Sequence, residues 1–118
     1  MQAQDIFNTV VAHLRKQQAK SNIVSVGRSM CVYCSPEGLK CAVGCLITDE
    51  EYSPDMETGQ GVHALLADYP KIADRLGWSN RELLESLQLV HDHYQVERWE
   101  DGLQSVATYY DLTYTPPQ

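Results

Sequence analysis

Four cysteines lie between residues 31 and 45, as a C-x-x-C pair (Cys31, Cys34) and, after six intervening residues, a C-x-x-x-C pair (Cys41, Cys45). Four thiolates form a tetrahedral zinc set, and two pairs separated by a turn are how zinc ribbons present them. The spacing departs from the common zinc modules. If 31–34 is extended, an odd separation sends Cys31 and Cys34 to opposite faces. Cys41 and Cys45 stand about one helical turn apart, but among Ala42, Val43, Leu46 and Ile47, where a free cysteine packs as a small hydrophobe. A thioredoxin-type pair needs its C-x-x-C at a helix N-terminus, whereas this one precedes the turn signal Ser35-Pro36-Glu37-Gly38. The cysteines therefore read first as packing, with zinc as the alternative cofactor and none as the main expectation.

A cysteine nucleophile also needs a histidine brought to it by the fold, and the chain offers His13, His63, His91 and His93 without a spacing that selects one. His91-Asp92-His93 resembles a metal signature. Residues two apart lie on nearly opposite sides of a helix, however, so both rings cannot share one ion. His91 borders a stripe containing Leu84 and Leu87, the position of a hydrogen-bonded structural histidine. A small hydrolase or transferase using His91 or His63 beside an acid is a further alternative. The acidic stretch Asp49, Glu50, Glu51, Asp55 and Glu57 lacks the alternating ligands and central glycine of a calcium loop and reads as a solvated, partner-facing surface. No phosphate-cradling glycine loop, nucleophile elbow or zinc-protease helix motif is present.

The elements that must position these groups are mostly helical. Ile6, Phe7, Val10, Val11 and Leu14 recur at helical spacing and predict an amphipathic helix over 4–20. Residues 23–30 have no period beyond a loop or a short extended piece. Cys31 to Cys34 favour a strand, and the Ser35 to Gly38 turn folds Leu39 and Lys40 back on it, giving a short β-hairpin near 30–41. Cys41 to Ile47 predicts a short buried helix whose Gly44 lets another backbone come close. Thr48 with Glu51, and Ser79 with Glu82, have capping-box spacing. Short helices follow around Val62 to Leu66 and from Pro70 to Leu76. Longer ones run over 80–94, with Leu83, Leu84, Leu87, Val90 and Tyr94 in one stripe, and from about Glu97 to Tyr110. Residues 112–118 read as a flexible tail. The fold class is mainly α (α+β): one compact domain over 1–118 with five to six helices.

A chain of 118 residues suits one core burying roughly two-thirds of the unfolded surface. With 43% apolar and 21% charged residues it fits neither a disordered nor a membrane class. Met1-Gln2-Ala3-Gln4-Asp5 has no basic cluster leading into an apolar block, so the expected address is cytoplasmic, where thiols stay reduced. The net charge of -7 is unevenly divided: residues 1–47 hold five basic and two acidic side chains, residues 48–118 four basic and fourteen acidic. A net acidic protein repels phosphate backbones, so direct nucleic-acid binding is disfavoured and a partner with a basic surface is preferred.

The segment from Cys31 to Tyr52, with its core Gly38-Leu39-Lys40-Cys41-Ala42-Val43-Gly44-Cys45-Leu46-Ile47, resembles a family of small uncharacterised proteins encoded by bacteriophages and prophages. The similarity extends from Ile6-Phe7 to Leu87-Gln88 and His91-Asp92. It implies origin rather than chemistry. In that family position 34 is commonly another, often basic, residue, which implies that a four-cysteine zinc site is not a family property. The expectation is a small acidic interaction or inhibitor protein, phage-encoded, that docks on a host or defence protein through Asp49, Glu50, Glu51, Asp55 and Glu57. The alternative is a zinc or thiol module on Cys31, Cys34, Cys41 and Cys45.

Overall fold

Among the described residues, five amphipathic segments form α-helices: α1 Ala3–Gln17, α2 Val62–Asp68, α3 Pro70–Leu76, α4 Arg81–His93 and α5 Trp99–Tyr109. Strands β1 Asn22–Ser25 and β2 Arg28–Cys31 complete a mainly helical architecture with one small β element. The computed structural model describes residues 1–25 and 28–117, the side chains of 24, 25 and 28–30 excepted. One cluster of buried side chains joins all five helices to the 42–47 run and Met56.

The helices follow the apolar stripes. α1 buries Ile6, Phe7, Val10, Val11 and Leu14, and stops where Gln18 turns left-handed at φ 51° with its N–H on the Leu14 carbonyl. α3 starts at Pro70 and ends at Gly77, whose φ of 94° only glycine adopts without strain. α4 and α5 pack closely because a Cβ on Gly102 would come within 2.9 Å of Val90. The Ser79–Glu82 capping box does not form. Asn80 takes the N-cap position of α4 without capping it, and its amide donates to the carbonyls of Leu76 and Met1 instead. α5 begins two residues later than the pattern suggests, because Val96–Arg98 tighten into a 3-10 turn.

The extended pairing is split. Ser35 to Gly38 reverses as expected, with Gly38 N–H donating to the Ser35 carbonyl at 2.9 Å and φ 88° at Gly38. Across that turn there is a single bridge, Cys34 with Lys40. The continuous antiparallel pairing comes earlier, where Asn22 stands opposite Cys31 and Ile23 opposite Met30. Cys41 to Ile47 is buried apart from the half-buried Cys45, but as a turn and a 3-10 segment, Gly44–Leu46, rather than an α-helix. Here the backbone of Tyr33 crosses so near that a Cβ on Gly44 would lie 1.9 Å from its carbonyl oxygen.

After α5 the chain turns back along α1, with Leu112 and Tyr114 packed on the core. The Gln4 side chain brackets Thr113, accepting its N–H at 2.8 Å and donating to its carbonyl at 3.0 Å, and Arg15 donates to the Thr115 carbonyl at 2.7 Å. The stretch expected as a tail is thus bonded to α1 as far as Thr115, while position 118 lies outside the described residues. Among the described residues, no helix is long and apolar enough to cross a membrane.

Candidate functional site

The inner face of α4 carries Gln88, His91 and Asp92, and the chain leaving α1 and β2 closes over them. His91 is fully buried. Its Nε2 lies 3.0 Å from the backbone nitrogen of Ser21, and its Nδ1 lies 2.7 Å from Asp92 Oδ1. A backbone N–H can only donate, so Nε2 holds the lone pair and Nδ1 carries the proton, given to Asp92. The ring also stacks on Trp99, with centroids 5.6 Å apart. This is the hydrogen-bonded structural histidine that the stripe pattern indicates, while His93, two residues on, is exposed.

Asp92 gathers further donors. Gln88 Nε2 donates to Oδ1 at 2.9 Å, while Gln88 Oε1 accepts the Val43 N–H at 3.0 Å, tying the 41–47 run to α4. Lys20 donates to the Asp92 backbone carbonyl at 3.0 Å. The Cys31 thiol lies against the carboxylate. Burial alone would raise the Asp92 pKa, but the donors from His91, Cys31 and Gln88 outweigh it and hold the carboxyl below its ordinary value. Conversely, partial desolvation of its sulfur, then the bond to Asp92 and the charge there, push the Cys31 thiol up to about 12.

Cys31, His91 and Asp92 form the one group among the described residues whose ligand atoms all fall within 4.8 Å of one another. Its chemistry is nonetheless constrained. A metal-bound histidine ordinarily donates its other ring N–H to an acceptor, whereas the far nitrogen of His91 faces a donor. An ion on Nδ1 would have to displace that proton and set Nε2–H against Ser21 N–H. Nor is His91 a base for Cys31, since both ring nitrogens are engaged and the thiol stays protonated at neutral pH.

No three of the four cysteine sulfurs form such a group. Cys41 is buried and its sulfur accepts the Gly44 N–H at 3.3 Å; Cys45 donates to the Ala42 carbonyl at 3.0 Å; Cys34 lies half-buried by Ser35. Burial raises the Cys41 pKa strongly and pushes Cys45 up to about 12. Beside them is a cavity of about 120 Å³ bounded by Cys31, Tyr33, Cys41, Glu57, Gln88 and Asp92.

The acidic stretch divides into two kinds of side chain. Glu57 points inward: Oε1 accepts the Tyr33 N–H at 2.9 Å, and Oε2 accepts the Cys34 N–H at 3.1 Å and the Tyr52 hydroxyl at 2.7 Å. It satisfies two backbone donors that follow β2. Glu51 closes a reciprocal box with Thr48 and receives Arg75 Nε at 3.1 Å; the hydrogen bond from that guanidinium is the main cause of its lowered pKa. Asp49, Glu50 and Asp55 remain exposed, with Asp49 also 3.2 Å from Lys40 Nζ. Of the five proposed contact residues, three face outward and two hold the ridge in shape.

An open groove of about 600 Å³ lies between α4 and α5 on the side away from the polar cluster. Sequence reasoning missed it, although Leu89 interrupts the polar face of α4. Sequence reasoning also missed the roles of Ser21, Gln88 and Glu57, because each pairs with a group distant in sequence: the Ser21 N–H with the His91 ring, Gln88 and Glu57 with backbone donors. Compared with known protein families, curated proteins and solved structures, the chain matches none of them.

Proposed function

We propose that the protein acts by binding, as a small acidic interaction protein of the phage-encoded kind that its sequence resembles, docking on a basic surface of a bacterial host or defence protein. The observation that carries this reading is the ridge at 48–57. Its backbone is held by the Thr48–Glu51 box, the Arg75 pair and the Glu57 carboxylate, and it presents Asp49, Glu50 and Asp55 to solvent. Carboxylates on a fixed backbone lose little freedom on docking, and their charge speeds encounter with a basic face. Cys31, His91 and Asp92, by contrast, are paired with one another, and His63 lies exposed beside Arg81 and Trp78 with no acid among its partners in the described residues. The zinc or thiol module on Cys31, Cys34, Cys41 and Cys45 draws no support from the placement of the sulfurs; a full equivalent of zinc in purified protein would reinstate it.

The test changes Asp49, Glu50 and Asp55 together to lysine and leaves Glu51 and Glu57 in place. Wild-type protein should retain a basic protein from bacterial lysate at low salt and release it as salt rises, and the variant should retain none. Equal capture by the variant removes the ridge from the function.

A further inference from the structure

The outer faces of α4 and α5 carry a second stripe at the edge of the core, with Gly102 and Val106 at its floor. Glu82, Glu85, Ser86 and Leu89 on α4 face Gly102, Ser105, Val106 and Tyr109 on α5 across the groove. Both sets repeat at spacings of three and four, so each helix offers about two turns, roughly 10 Å, of continuous wall. Leu89 is 53% exposed and Tyr109 79% exposed. The Ser86 and Tyr110 hydroxyls bond at 2.8 Å, and the Tyr109 and Tyr110 rings meet edge to face, which fixes the aromatic end of the wall. The lining contains Glu82 and Glu85 but no basic side chain, and Glu85 also stands 3.5 Å from Arg81 Nε, one turn earlier on α4. A groove walled by two helices at this spacing is the shape into which a third amphipathic helix packs.

We infer that this groove receives an amphipathic helix of a partner protein, with its apolar seam on the exposed Leu89 and Tyr109 above the buried Val106 and its lysine or arginine flank against Glu82, beside the Glu85 that Arg81 already holds. Charge decides against a second copy of the chain. A twofold pair would set the Glu82 and Glu85 lips of two molecules, each of net charge -7, against one another. The inference rests on the binding reading but uses a different face from the acidic ridge.

The probe is a synthetic helical peptide of about four turns, with leucines at i, i+4 and i+7 flanked by lysines, titrated into isotopically labelled full-length protein and followed by amide NMR shifts. A peptide with glutamates in place of the lysines is the control. Shifts should be confined to α4 and α5. Leu89→Asp and Tyr109→Asp, both at exposed positions, should each weaken binding roughly tenfold or more, as loss of a central anchor does, with unchanged circular dichroism. Glu82→Lys should weaken it less. The Asp49, Glu50, Asp55 lysine variant should bind the peptide as wild type does, so failure of the ridge and failure of the groove are separate results. The inference is overturned by shifts centred on the ridge, by equal binding of the glutamate peptide, by no shifts at millimolar peptide, or by a dimer in sedimentation that Leu89→Asp dissolves.

Discussion

The two faces of α4 do opposite things with the same helix. Inward, Gln88, His91 and Asp92 spend their polar atoms on the backbone of Ser21 and Val43, on the Cys31 thiol and on one another. Outward, Glu82 and Leu89 stand beside an open groove. A buried polar group is costly unless it is paired, and once paired it is costly to redirect to a substrate. The inner cluster looks more like an enzyme site in composition, yet its pairing makes it a fastening; the plainer outer face keeps its contacts available.

The largest effect is expected at His91. His91→Ala removes a fully buried ring stacked on Trp99 and leaves the Ser21 N–H and the Asp92 carboxylate short of a partner, so urea unfolding should show a loss of about 3 kcal/mol. A variant of wild-type stability would mean that the ring is not a fastening. Asp92→Asn sharpens the point at smaller cost, about 1–2 kcal/mol for the weakened bonds. With the charge gone, the Cys31 pKa should fall and its alkylation by iodoacetamide near neutral pH should accelerate; an unchanged rate would show that Asp92 does not restrain the thiol.

The smallest effect belongs to the ridge. Because Glu51 is depressed by Arg75, the stabilisation from this pair is present above the ordinary glutamate pKa and fades as pH falls through the lower folded value. Both partners are partly exposed, so Arg75→Gln should cost less than about 1 kcal/mol near neutrality. The gap from wild type should close in acid. A gap that persists below the folded pKa would assign the Arg75 contribution to its other contacts, with the Leu46 carbonyl and the Met1 sulfur.

Local pattern made much of the fold readable. The stripes through Phe7 and Leu14, and through Leu84 and Leu87, mark helices that depend on a face, and Pro70 and Gly77 bound α3 by backbone geometry alone. The strand pair lies earlier in the chain than residue pattern indicates, because alternation is weak in four-residue strands, whereas the turn at Ser35 to Gly38 announces itself by residue type. The candidate site was readable only in pieces. His91 could be assigned to structure from its place at the edge of a stripe, but its pairing with Ser21, seventy residues away in sequence, has no local signature. Glu51 and Glu57 look like their neighbours Glu50 and Asp55, and only tertiary position separates those that hold the ridge from those that face solvent.

Gly44 limits how far this chain could diverge and still fold as it does. With the Tyr33 carbonyl occupying the space of a side chain, even a methyl group there forces two backbone segments apart. Distant relatives sharing this crossing should keep a glycine at that point while exchanging the sulfurs around it for other small apolar groups, so a search keyed to the glycine would reach further than one keyed to the cysteines.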